Sequence, residues 1–202
     1  VQRMFQQITS PGMELKLNKL LQAPFTFHTR IISLINREIK NSKAGQPARI
    51  IAKMNALTEK TIVDRLYAAS QAGVKIELII RGACTLKPGI KGISENITVR
   101  SIIGRFLEHT RIYYFENNGN PRTYLSSADW MDRNCFSRVE IAVPIEDKNL
   151  SKRLVSEGLK YYLSDKANTW VLKSNGEYHK IVTRAKKIFE VQKRLLDKLS
   201  DL

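Results

Sequence analysis

The side chains of this 202-residue chain best suited to chemistry gather around one histidine, His109. It opens the stretch His109-Thr110-Arg111-Ile112-Tyr113-Tyr114-Phe115-Glu116, at the mouth of an expected strand. In extended backbone His109 and Arg111 point to one face, about 7 Å apart. An imidazole can hydrogen-bond, move a proton or attack phosphorus. A guanidinium grips phosphate oxygens through its planar fork. Together they suit a phosphoryl group. Arg81 is the second candidate. It ends the run VKIELII and precedes Gly82, which lets the backbone turn sharply. Lys53 and Asn55, two residues apart, share a face at the end of another run, RIIAKM, with Arg49 a weaker candidate at its start. Ser126-Ser127-Ala128-Asp129 offers hydroxyls and a carboxylate that could orient a histidine, or could simply cap a short helix through Trp130-Met131. Arg138 and Glu140 alternate on one strand face and suit an ion pair. His28 reads as a satisfied, partly buried helix residue, and His179 as a surface one.

The elements that must position these residues follow from patterning. Phe27, Ile31, Leu34 and Ile35 recur at helical spacing over Phe25–Lys40. Arg49–Met54 reads as a buried strand, and Thr58 as the N-cap of a helix over Thr61–Gln71 that stops at Gly73. Val74–Ile80 and Ile97–Ile102 read as further strands. Arg111–Glu116 and Arg122–Ser126 form a hairpin around Asn117-Asn118-Gly119-Asn120-Pro121, since Asn-Gly is a strong turn signal. Arg138–Pro144 is one more strand, and Asn149–Leu163 a helix capped by Asp147 or Asn149. Tyr178–Leu202 is expected to be a basic amphipathic helix, and the first 22 residues an irregular lead-in with a turn at Pro11-Gly12. Strand, helix, strand spacing gives an α/β fold with a mixed sheet flanked by helices. Ligands in such folds sit beyond the carboxyl ends of the strands, where Arg81 and Asn55 fall.

Composition narrows the partner. Lys plus Arg is 34 and Asp plus Glu is 19, a formal charge of +15. That excess favours a polyanion: nucleic acid, an anionic membrane or a phosphorylated substrate. No phosphate-cradling Gly-x-x-x-x-Gly-Lys-Ser/Thr loop and no Gly-x-Gly-x-x-Gly after a strand is present. Cys84 and Cys135 are too few for a disulfide framework or a cysteine zinc site, and a reducing cytoplasm is the default. No apolar stretch reads as a signal peptide or a membrane span. The chain begins with Val1 and reads as a piece cut from a longer polypeptide.

Several ordered blocks stand out together: Asn55-Ala56-Leu57, Val63-Asp64-Arg65-Leu66-Tyr67-Ala68-Ala69-Ser70, Ile80-Arg81-Gly82-Ala83-Cys84 and Gly92-Ile93-Ser94-Glu95-Asn96-Ile97. Arg105-Phe106-Leu107-Glu108-His109-Thr110-Arg111 and Tyr124-Leu125-Ser126-Ser127-Ala128-Asp129-Trp130-Met131 complete the set. In these blocks the chain resembles the bacterial polyphosphate kinases. The resemblance is to the family's last domain, a phospholipase-D-like one, over residues 20–202, with a core at about 48–165 and a basic helix at about 178–200. Residues 1–19 resemble the end of the preceding domain. The phospholipase D pattern His-x-Lys-x4-Asp stands here as His109-x-Arg111-x4-Glu116, and its Gly-Ser-x-Asn block as Ser126-Ser127-Ala128-Asp129. These departures match the kinases and argue against phosphodiester hydrolysis.

The resemblance implies reversible transfer of the terminal phosphate of ATP to inorganic polyphosphate, through a phosphohistidine and with Mg2+. The nucleophilic histidine belongs to the preceding domain, so this chain alone is expected to be inactive. His109 matches its partner histidine, which faces the transferred phosphate as acid/base or stabiliser. Arg81 is implied to bind nucleotide phosphates. Lys53, Asn55, Arg111, Glu116, Ser127 and Asp129 are candidates for lining or supporting a phosphate channel. The Mg2+ and adenine ligands fall outside this chain. ATP or ADP and polyphosphate are the expected partners, nucleic acid is not, and the whole protein is expected to form homo-oligomers. The expected location is the cytoplasm, free or peripheral to the inner membrane. A basic module binding nucleic acid or polyphosphate without chemistry is the alternative.

Overall fold

The run Arg49–Met54 forms strand β2, and every residue after Arg49 is buried. Burial on both sides requires a sheet covered by helices on both faces. That is the architecture of the computed structural model, which describes residues 17, 19–185 and 188–200. Its sheet contains, in chain order, β1 (Leu21–Ala23), β2 (Arg49–Met54), β3 (Lys75–Ile80), β4 (Ile97–Ile102), β5 (Arg111–Phe115), β6 (Arg122–Ser126), β7 (Glu140–Pro144), β8 (Thr169–Leu172) and β9 (Tyr178–Lys180). The spatial order is β1-β7-β6-β5-β2-β3-β4-β8-β9. β2, β3 and β4 are parallel, and the other pairings are antiparallel.

Side-chain alternation divides the core into two layers. Ile50, Ala52, Ile76, Leu78, Tyr113 and Phe115 face one way, toward α1 (Phe27–Lys43) and α2 (Lys60–Gln71). α1 contributes Phe27, Ile31, Leu34 and Ile35, the expected periodic set, each worth about 1.5–3 kcal/mol when fully buried. Ile51, Ile79, Ile102 and Ile112 face the other way. Leu159 and Tyr162 cover them from the helical segment α3 (Lys148–Val155), a π turn (Ser156–Lys160) and α4 (Tyr161–Ser164), and Val191 from α5 (Val191–Leu199). The π turn widens the helix where Gly158 meets Ile112: a Cβ on Gly158 would lie 2.3 Å from Ile112 Cδ1. The β5–β6 hairpin turns through Asn117, Asn118 and Gly119 at φ of 49°, 53° and 76°. Those left-handed values favour the Asn-Asn-Gly sequence.

Several expectations are corrected. The basic tail is no continuous helix from Tyr178. Tyr178–Lys180 pairs with β8 at the sheet edge, and helix begins only at Val191. The end of the lead-in is ordered as β1 against β7, while the Pro11-Gly12 turn lies outside the described residues. Glu59, not Thr58, caps α2, its carboxylate accepting from Thr61 N and Ile62 N. Trp130-Met131 starts no helix from Ser126 or Ser127; a five-residue π turn follows at Arg133–Ser137. No helix among the described residues is long and apolar enough to cross a membrane.

Candidate functional site

β2 and β3 end side by side, and antiparallel β5 begins at the same rim: Lys53 pairs with Ile79 on one side and Ile112 on the other. Lys53, Asn55, Arg81, His109 and Arg111 therefore converge from three segments. β6 runs back to this rim, and Arg111 pairs with Ser126, three residues before Asp129.

A continuous hydrogen-bond chain links Arg81, Asn55, Asp129, Arg111 and His109. Arg81 Nε donates to Asn55 Oδ1 at 2.7 Å. Asn55 N donates to Asp129 Oδ1 at 2.7 Å, and Ala56 N to the same oxygen at 3.3 Å. Arg111 grips Asp129 with both arms, Nε to Oδ1 at 2.9 Å and Nη2 to Oδ2 at 3.0 Å. Arg111 Nη1 then donates to the His109 carbonyl at 3.1 Å, and Nη2 lies 3.4 Å from His109 Nε2. A guanidinium can only donate, so in this contact Nε2 faces a donor. Asp129 is buried, Arg111 nearly so, and His109 exposed. The buried ion pair is thus a bracket, and the imidazole is what it presents to solvent. In Arg111, burial opposes the charge and Asp129 restores it, with the net shift upward.

Arg81 follows directly on β3 and is partly exposed. Its Nε is used by Asn55, while its Nη1 is buried without a hydrogen-bond partner among the described residues. An unpaired buried donor costs about 1–3 kcal/mol, which an anionic acceptor would recover. Arg81 also lines a cavity of about 10 Å³ with Lys53, Glu108 and Thr110, the neighbour of His109.

Lys53 does not reach into an open channel. Its side chain is 3% exposed, bonded to Glu108 Oε2 at 2.8 Å and seated 3.7 Å from the centre of the Tyr162 ring. Burial lowers its pKa, and Glu108 pulls it back up. Lys53 is a support. Arg111, expected to grip phosphate, is spent on Asp129 and His109. Glu116 lies at the far end of β5, its N–H bonded to Arg49 O at the start of β2 and its carboxylate to the Tyr114 hydroxyl. It is not brought to His109. Ser127 donates to Glu140, which also accepts from Asn134 Nδ2. The expected Arg138–Glu140 pair is therefore replaced, and Ser127 serves the β6–β7 edge. Arg49 bonds Glu77. His28 is satisfied as expected, 3.0 Å from Glu59 and packed on Phe136. Exposed His179 lies 3.2 Å from Glu177. Sequence reasoning missed Glu108 as a participant, although it sits beside His109, and it missed Gln192, which bonds Glu108 from α5 at 2.7 Å.

No three His, Cys, Asp or Glu side chains cluster as metal ligands among the described residues. The two carboxylates of the rim, Asp129 and Glu108, are committed to Arg111 and Lys53, so these residues do not fit a divalent cation.

Comparison with known proteins then decides the family. The family model described as polyphosphate kinase C-terminal domain 2 matches residues 20–192. The chain belongs to the polyphosphate kinase family. It is 58% identical over 180 residues to the polyphosphate kinase of Burkholderia lata, covering 89% of this chain and 26% of that protein. To the enzyme of Paraburkholderia phytofirmans it is 54% identical over the same shares. The chain thus spans about a quarter of the length of these curated relatives. The crystal structure of polyphosphate kinase from Porphyromonas gingivalis superposes with a TM-score of 0.92 at 33% identity, over 99% of this chain and 31% of that one. Nuc from Salmonella typhimurium, a phospholipase D family member, matches at a TM-score of 0.54 and 14% identity, over 80% of this chain and 97% of that one. That likeness shows the fold alone, and it is the expected one: a phospholipase-D-like mixed sheet flanked by helices.

Proposed function

We propose that this chain is one half of a phosphotransferase site, in a protein that reversibly moves the terminal phosphate of ATP to inorganic polyphosphate. The observation that carries this reading is the network running from Arg81 through Asn55, Asp129 and Arg111 to His109. It holds an exposed imidazole and an under-partnered guanidinium at the same sheet rim. Phosphoryl transfer asks a protein for positioning and for neutralisation of charge on the moving group. The partly exposed guanidinium of Arg81 would meet a phosphate oxygen, and His109 would hydrogen-bond the group in transfer or move its proton. The net charge of +15 suits a polyanion with about one negative charge per phosphate unit.

The attacking histidine belongs, on this reading, to the domain before residue 20, so the chain alone makes no polyphosphate. Mg2+ would be held there too, and no step here passes through it. Homo-oligomers of the whole protein and a cytoplasmic location complete the proposal; Cys84 and Cys135 are free thiols, as a reducing compartment permits.

The test is competition binding to the whole protein. Polyphosphate should outcompete DNA of equal charge, and Arg81→Ala should weaken ATP binding about tenfold or more with little effect on DNA. Equal displacement by both polymers, with ATP binding unchanged in Arg81→Ala, would favour a basic binding module instead.

A further inference from the structure

His109 lies in the loop joining β4 to β5, residues 103–110, whose side chains are mostly exposed. A loop that presents a catalytic group must still hold it to a fraction of an ångström, because misplacement by about 1 Å can cost a hundredfold in rate. Arg111 fixes the end after His109. Nothing within the loop itself fixes the end before it.

That role falls to α5. Gln192 is 4% exposed, and its amide is fully engaged with the loop. Its Oε1 accepts from Phe106 N at 2.9 Å, and its Nε2 donates to Phe106 O at 2.8 Å and to Glu108 Oε1 at 2.7 Å. The paired bonds to Phe106 copy a strand ladder with a side chain. Glu108, so caught, gives its other oxygen to Lys53, and the next residue is His109. The close approach depends on Gly104: a Cβ there would sit 2.5 Å from Gln192 Oε1. α5 is itself anchored, with Val191 N donating to buried Asp165 Oδ2 at 2.8 Å and Val191 packed in the second core layer. The clamp therefore runs from the core, through a helix 84 residues away in sequence, to the residue before the imidazole.

We infer that Gln192 is a positioning residue for His109, acting through Phe106 and Glu108, with Gly104 as the space it requires. This rests on the proposed phosphotransfer role of His109. Gln192 touches no substrate; it sets where the imidazole stands.

The experiment uses the whole protein carrying Gln192→Met, Gly104→Ala or both. Methionine keeps the packing of α5 and removes the three hydrogen bonds. Two readouts are taken: kcat and KM for ATP in polyphosphate synthesis, and the rate of trypsin cleavage after Arg105 in the loop. The clamp predicts a kcat about tenfold lower in each single variant, KM within about twofold, and faster cleavage at Arg105. It also predicts that Gly104→Ala adds little to Gln192→Met, because both variants break the same three hydrogen bonds. Wild-type kcat and cleavage in folded Gln192→Met would overturn the proposal, and so would losses that multiply in the double variant. Should the wild type itself make no polyphosphate, the function proposed above fails instead. Trypsin then decides the clamp alone: unchanged cleavage in Gln192→Met overturns it, and faster cleavage upholds it.

Discussion

Replacing Asp129 by alanine tests the bracket from the inside. Asp129 Oδ1 accepts three N–H groups, from Asn55, Ala56 and Arg111, and Oδ2 a fourth. The carboxylate is 3% exposed and the Arg111 side chain 12%. The substitution therefore leaves a nearly buried guanidinium unpaired and two backbone amides without an acceptor. Breaking a buried ion pair from one side costs about 3–5 kcal/mol, and each stranded amide adds up to about 1–3. Partial rehydration trims the total, so Asp129→Ala should lose about 4–6 kcal/mol. Urea unfolding followed by fluorescence reads this well, because buried Trp130 is the next residue. Arg111→Ala should cost much less in the Asp129→Ala background than alone, with a coupling of about 2 kcal/mol. Losses that add to within about 0.5 kcal/mol, or a loss below about 1 kcal/mol for Asp129→Ala, would refute the bracket.

Other consequences are independent of it. Gly158→Ala puts a methyl group into Ile112 and should cost about 1–3 kcal/mol in the same assay. Burial pushes Cys84 up to about 11 and Cys135 up to about 12, so neither thiol should react with iodoacetamide at pH 8 until the chain is unfolded. In Glu59, burial raises the pKa but is outweighed by the N–H groups of Ile62 and Thr61 and by His28, so the net shift is downward. A depressed folded value contributes stability above the ordinary glutamate range and loses it as pH falls through the folded value. The stability gap between wild type and Glu59→Gln should therefore be full near pH 7 and shrink below about pH 4, as pH-dependent urea unfolding would show.

What was legible in the sequence is what local patterning encodes. β2 begins and ends where its apolar, β-branched run does, and so does the β5–β6 hairpin around Asn-Asn-Gly. His109 and Arg111 were joined by two-residue periodicity alone, and the structure brings their side chains together. Two of the failures share one physical cause, which is long-range capture: the Tyr178–Lys180 strand and Gln192. Ile181, Ala185 and Ile188 carry helical spacing, yet Tyr178–Lys180 pairs with β8 instead, tertiary pairing overriding local preference. Glu116 fits the motif spacing, but five residues along a strand carry it about 16 Å from Arg111. Gln192 left no trace in its neighbourhood, since a glutamine on a basic amphipathic helix looks like any solvated residue until the loop it holds is folded against it. Asp129, a candidate orienting carboxylate, makes no contact with His109 itself; it pairs with Arg111, which contacts His109.

The most direct measurement is ATP-dependent polyphosphate synthesis by the whole protein, wild type against His109→Ala, with both shown to be folded. If His109 meets the transferred phosphate, kcat falls about a hundredfold or more, the usual scale for a catalytic acid or base. Near-normal synthesis by His109→Ala would contradict the account and leave the imidazole a bystander at the sheet rim.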